Sequence, residues 1–181
     1  MFKIYIVRHG KTEWNIKGLM QGLKDIPLAK EGIKETKKLA ESFEIDAIDI
    51  CFSSPLKRAK QTANILCGKN KRIIYDERLK ERCFGNHEGK KINYDFIAKE
   101  WDYNLNTTED GIESIKDCLN RAKSFLTFIK KEYPNKNILI VSHGSFIKAL
   151  HFNLIGYDAT TNFLSFNAKN TEIYEYERVR F

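Results

Sequence analysis

Residues 5–15 read YIVRHGKTEWN, and the parsing of that stretch decides the fold. Residues 4–7, IYIV, form an apolar run that breaks directly onto Arg8, His9 and Gly10. A run of this length that ends at a glycine predicts a buried strand. This one delivers a guanidinium and an imidazole at its carboxyl end. The strand as a whole spans FKIYIV (2–7), and four further stretches share its character: AIDICFS (47–53), RIIYD (72–76), ILIVS (138–142) and EIYEYERV (172–179). Those at 47–53 and 138–142 are largely continuous in apolar residues, as in strands covered on both faces. The last alternates Ile173, Tyr174, Tyr176 and Val179 with charge, which predicts an edge strand with one wet face.

Helical spacing fills the gaps between these runs. Ile33, Leu39, Ala40 and Phe43 recur at helical intervals in 30–43, and Ile115, Leu119, Ala122, Leu126 and Ile129 step by four and three in 113–131. Residues 145–154 are apolar nearly all round, which predicts a buried helix. A helix over 55–67 is expected to open with Ser54 as its N-cap and Pro55 at the first helical position. Strands alternating with helices predict an α/β fold, a three-layer α/β/α sandwich whose mainly parallel sheet carries one antiparallel edge strand. Residues 86–112 fit that pattern worst. They read as a polar, aromatic excursion over one sheet edge, on the substrate side of a single domain spanning 1–181.

Composition narrows the function classes. A chain of 181 residues, 42% hydrophobic and 30% charged, is ordinary for one soluble domain. No apolar run approaches the ~18 residues a membrane helix needs, and the N-terminal run is too short for a signal peptide. A cytoplasmic protein without a membrane partner is expected. Cys51, Cys67, Cys83 and Cys118 show no CxxC or metal-finger spacing and read as free thiols. The net charge of +7 fits either a basic surface or an electropositive cleft for an anion. The cluster KNKR at 69–72 reads as a solvated turn, and no pattern of nucleic-acid recognition accompanies it.

In sheets of this kind ligands bind beyond the carboxyl ends of the strands. There the sequence places Arg8-His9-Gly10, then Ser53-Ser54 with Arg58 one helical turn on, then Glu81 and Arg82, then Ser142-His143-Gly144. Arginine forks and helix N-termini suit phosphate oxygens. An imidazole beside those cations is disfavoured from protonating and stays nucleophilic. A nearby carboxylic acid can protonate a leaving alkoxide. Other chemistries fit less well. The loop of the cysteine phosphatases has no room for residues 52–57 between Cys51 and Arg58, and Pro55 interrupts them. No HxH, HExxH or DxD suggests a metal, and no Walker or dinucleotide fingerprint suggests a nucleotide cofactor. No cofactor is expected.

Five segments in order, VRHGKTEWN (7–15), MQGLKDIPLAKEG (20–32), SSPLKRAKQTA (53–63), LKERCFGNHEG (79–89) and VSHGSFIKAL (141–150), resemble the motifs of the histidine phosphatase superfamily, the phosphoglycerate mutase-like fold, along nearly the whole chain. The resemblance implies that His9 is the phosphorylated nucleophile, that Arg8, Arg58 and His143 hold the phosphoryl oxygens, and that Glu81 is the proton donor. It implies phosphate or substrate contacts for Asn15, Gln21, Gly22, Gly144 and Ser145. Leu19, His87 and Ser145 depart from the family pattern at positions that bear on the pocket wall. Only residues 82–142 separate Glu81 from His143, and the lysine-rich follow-on of the mutases is missing. A phosphatase of a small phosphorylated metabolite is therefore expected, ahead of a cofactor-dependent phosphoglycerate mutase or a catalytically weak phospho-ligand binder. The natural substrate and the oligomeric state stay open.

Overall fold

The computed structural model describes residues 3–69 and 71–177. Five strands, β1 (Lys3–Arg8), β2 (Ile50–Ser53), β3 (Ile73–Tyr75), β4 (Ile138–Ser142) and β5 (Ile173–Glu177), form one sheet in the order β3-β2-β4-β1-β5. All pairings are parallel except that of β1 with β5, which is antiparallel. The expected ends of the first and last strands, Phe2 and residues 178–179, lie outside the described residues, as does Asn70 of the basic turn.

Alternation along each central strand explains the layering. Ile4 and Ile6 of β1, Phe52 of β2 and Ile138 and Ile140 of β4 enter one core with helices α5 (Ile115–Glu132) and α6 (Gly144–Ile155). Val7, Cys51, Leu139 and Val141 face a second core, covered by α2 (Lys30–Ser42) and α3 (Lys57–Cys67). Successive side chains point to opposite faces, so strands apolar at every position need both faces covered. The result is the expected three-layer sandwich, and β5 is its antiparallel edge.

Register brings the catalytic-type residues level. Arg8 pairs with Ser142 and Ser53 with Val141, so β1, β2 and β4 end side by side. The backbone N–H of His9 donates to Ser142 O (3.0 Å) and that of Ser54 to Val141 O (3.0 Å), which carries the ladder one residue past each strand.

Some boundaries differ from the sequence reading. Helix α3 starts at Lys57 with Leu56 in the cap position and no side-chain cap, so Ser54 is not the N-cap and Pro55 not the first helical residue. The Ser54 hydroxyl is held elsewhere, within 2.8 Å of a His143 ring nitrogen, and it accepts from Leu56 N (3.3 Å). The long amphipathic helix α5 begins after Ser114, whose hydroxyl accepts from Asp117 N. Two short helices were not expected. One is α1 (Glu13–Ile16), closed by a capping box between Thr12 and Asn15; the other is α4 (Tyr94–Glu100) inside the 86–112 excursion, capped by Asn93.

Candidate active site

The ends of β1, β2 and β4 converge on a buried cluster of two imidazoles and a guanidinium. His9 is 2% exposed, and His143 and Arg58 are fully buried. The Arg58 Nε–H is shared between His9 Nε2 (3.2 Å) and His143 Nδ1 (3.1 Å), and the two rings lie 5.1 Å apart, centroid to centroid. Shared three-centre bonds of this kind are common where one donor faces two acceptors.

The partners fix the tautomers. His9 Nδ1 lies 2.7 Å from Gly10 O, and a carbonyl can only accept, so Nδ1 carries the proton. The lone pair of His9 is therefore on Nε2, turned toward Arg58. His143 uses Nδ1 as the acceptor, so its proton is on Nε2 and points at Ser54 Oγ (2.8 Å). Both rings are held neutral. Burial is the larger cause of the downward pKa shift in each, with Arg58 next and Arg8 contributing to both.

The arginines are anchored without being neutralised. Arg58 sends its two terminal nitrogens to Lys24 O (2.6 Å) and Gly22 O (2.8 Å), and burial brings its pKa down to about 10. Arg8 donates to Ala168 O (2.8 Å), and its buried Nε has no partner among the described residues. Gly144 lets that guanidinium come close, since a Cβ there would stand 3.2 Å from Arg8 Cζ. Gly22 adopts φ +52°, where a side chain would be strained and would collide with the Glu88 carboxylate. Glu88 Oε1 in turn accepts from Leu23 N (2.8 Å) and Phe84 N (3.2 Å), pinning the loop that grips Arg58.

Glu81 sits on the N-terminus of α6. Its Oε1 accepts from Arg82 N (2.9 Å) and Phe146 N (3.0 Å), and its Oε2 from Ser145 N (3.2 Å). Ser145 thus meets the site through its backbone. Asn15 and Gln21 stand one step further out. Asn15 Oδ1 accepts from Thr12 N (3.0 Å), and the Thr12 hydroxyl lies 2.9 Å from Gln21 Oε1. Among the sequence candidates, His9, Arg58, His143 and Gly22 are linked directly, Arg8 and Gly144 pack together beside them, and Glu81 and Ser145 are joined by the α6 amides.

Several supports were not singled out from sequence. The Thr62 hydroxyl accepts from Gly10 N (3.0 Å), and the Asn170 amide donates to His9 O (2.7 Å). Thr62 had a signal, four residues after Arg58 on the same helical face. The carbonyls of Gly10, Gly22, Lys24 and Ala168 had none, because every residue carries one. The aromatics of 86–112 divide between two settings. Trp101 is 4% exposed and stacks on Phe163, whereas Tyr94 is 85% exposed. His87 stacks on Phe96 (4.0 Å) and reaches Asp110 Oδ2 (2.9 Å). His151 is structural: its Nδ1 meets the Tyr176 hydroxyl at 2.7 Å and its ring stacks on Phe166.

The family model for the histidine phosphatase superfamily (branch 1) matches residues 4–180. The chain belongs to that superfamily. Phosphoserine phosphatase 1 of Hydrogenobacter thermophilus is 35% identical to it over 177 residues, covering 94% of this chain and 83% of the relative. A probable phosphoglycerate mutase, GpmB of Enterobacter sp. (strain 638), is 33% identical over 168 residues, covering 88% of this chain and 77% of the relative. Among solved structures, phosphoserine phosphatase from Entamoeba histolytica in complex with 3-phosphoglyceric acid superposes with a TM-score of 0.81 at 33% identity, covering 97% of this chain and 90% of that one. As a histidine phosphatase superfamily member with these relatives, the protein is a phosphoric monoester hydrolase, the reading expected ahead of the mutase.

Proposed function

We propose that this hydrolase cleaves the phosphomonoester of a small metabolite through a phosphohistidine at His9. The observation that carries the reading is the His9 tautomer: with Nδ1–H tied to Gly10 O, the Nε2 lone pair faces the guanidinium of Arg58 inside the pocket. In the first displacement Nε2 attacks phosphorus in line, the ester P–O bond breaks, and Glu81 gives its proton to the leaving alkoxide. In the second, the Glu81 carboxylate takes a proton from water, the water oxygen attacks phosphorus, and the P–N bond returns its electron pair to His9. Arg8 and Arg58 meet the charge on the equatorial oxygens in both steps, and His143, its Nε2–H held by Ser54 Oγ, lines the same pocket through its Nδ1 edge. Gly144 gives Arg8 its room, and the Ser145 amide holds Glu81. Asn15, Gln21 and Gly22 shape the loop on the entry side.

Two guanidinium groups supply the charge stabilisation a metal would otherwise provide, so the reaction is read as metal-independent. We read the enzyme as acting in the cytoplasm on a soluble metabolite, without nucleic acid or membrane as partner. Residues 86–112 are assigned the substrate-side wall of one domain. Rapid quenching during turnover of p-nitrophenyl phosphate, followed by mass spectrometry, tests the scheme. Phosphate on His9 is expected, together with loss of turnover in His9→Ala and slowed turnover with retained phosphate binding in Glu81→Gln. Phosphate release by an enzyme that never carries label on His9 would refute it.

A further inference from the structure

Helix α6 is apolar almost all round, and Lys148 interrupts it. The side chain is buried, with the residue only 6% exposed, yet no acceptor or ion-pair partner for its ammonium is found among the described residues. What it meets is the face of Trp101, 4.5 Å from ammonium to ring centroid. Its Nζ is not among the fully buried polar atoms left without a partner, so the ammonium keeps an opening to solvent while its stem lies in the core and the ring face offsets part of its desolvation. The fold gains nothing evident from placing a lysine there.

Its position suggests a use. Lys148 follows Gly144 by four residues and Ser145 by three, so the three share one helical face. Helical side chains lean toward the N-terminus, which directs Lys148 back toward the strand ends. There it feels two charges, the carboxylate of Glu81 and the guanidinium of Arg82. Arg82 is committed: it binds the Glu100 carboxylate (3.2 Å) and the carbonyls of Glu100 (3.0 Å) and Glu113 (2.7 Å). Burial, and Arg82 after it, bring Lys148 down to about 8, with Glu81 acting the other way, so it remains a cation at neutral pH.

We propose that Lys148 reads the substrate, taking a carboxylate carried by the same molecule whose phosphate enters the His9 pocket. The assignment rests on the phosphomonoesterase reading above. One ammonium on an aromatic wall balances one carboxylate; a second phosphate dianion would call for more donors than this wall offers.

The test compares kcat/KM for 3-phosphoglycerate against glycerol 3-phosphate, and for phosphoserine against phosphoethanolamine, with p-nitrophenyl phosphate as reference. Wild-type protein should favour the carboxylated member of each pair, and Lys148→Met should reduce that preference by about tenfold or more while leaving the reference substrate little changed. Lys148→Arg should keep most of it, and Lys148→Gln replaces the methionine variant if that one does not fold. Absence of a preference in wild-type protein, its persistence in the variants, or equal losses on all substrates would overturn the proposal. If wild-type protein leaves p-nitrophenyl phosphate intact, the phosphomonoesterase reading falls separately. Calorimetric binding of 3-phosphoglycerate and glycerol 3-phosphate to wild-type and Lys148→Met then decides the role of Lys148.

Discussion

Two neutral, buried histidines side by side make stability depend on pH in a calculable way. His9 and His143 both have folded pKa values well below 6.5, whereas in the unfolded chain each returns to about 6.5. Below that value the unfolded chain takes up protons that the folded protein refuses. Stability is therefore fully present above 6.5 and is lost as pH falls toward the folded values. Between pH 7.5 and 5.5 the pair should lose up to about 3 kcal/mol, each histidine giving up at most one pKa unit of free energy. For a chain of this size that lowers Tm by about 6–12 °C. The half-buried His151 adds in the same direction and Glu100, whose pKa is raised by burial, in the opposite one. Asp49 and Asp76 titrate below the window because their pKa values are lowered. Urea unfolding at the two pH values measures the loss. His9→Gln and His143→Gln should each remove about half of the difference. A wild-type curve flat across the window, or variants that keep the whole slope, would refute the neutral-pair reasoning.

Two further substitutions probe how the site is held. Gly32 of α2 packs against the backbone of Lys11, and a Cβ there would stand 2.7 Å from Lys11 N and closer still to its carbonyl. Overpacking against backbone outweighs the helix propensity alanine adds, so Gly32→Ala should cost about 2 kcal/mol net. Calorimetric melting should show Tm about 4–8 °C lower, and an unchanged or higher Tm would sink the argument. Glu88→Ala removes the acceptor of Leu23 N and Phe84 N and should cut kcat on p-nitrophenyl phosphate by about tenfold or more, because the loop holding Arg58 loses its anchor. Glu88→Gln keeps an oxygen in place and should recover most of that loss; equal defects in the two variants would refute the positioning role.

Much of this architecture was legible because two periodicities and one topological rule suffice for it. Largely continuous apolar runs at 47–53 and 138–142 read as strands with both faces covered, and the rule that ligands gather at carboxyl ends then brought Arg8, His9, Glu81 and His143 together. The failures have physical causes. Ser54 and Pro55 have the local chemistry of a helix start, but the hydroxyl of Ser54 is drawn to the Nε2–H of His143, and the helix begins at Lys57. Helix α4 escaped notice because its stretch, YDFIAKE, shows little amphipathic period and depends on the Asn93 cap. Lys148 did leave a mark, a lone charge in an otherwise apolar helix. Its meaning emerges only when the missing carboxylate partner can be seen in three dimensions.

That distinction between committed and uncommitted cations explains the design of the site more broadly. Five buried or half-buried basic side chains cluster around Glu81: Arg8, Arg58, Arg82, Arg121 and Lys148. Arg82 and Arg121 end on the carboxylates of Glu100 and Glu113, so their charge is spent within the fold. Arg58 and Arg8 end on the carbonyls of Gly22, Lys24 and Ala168, which satisfy N–H donors without supplying a negative charge. A carboxylate in those places would hold the guanidinium more strongly and also compete with an incoming phosphoryl group. Carbonyl anchoring resolves that conflict, since it orients the fork, meets part of the hydrogen-bonding demand of burial and leaves the positive charge available for a dianion. The same uncompensated charge helps keep the His9 imidazole neutral, so one arrangement both prepares the nucleophile and receives the group it attacks.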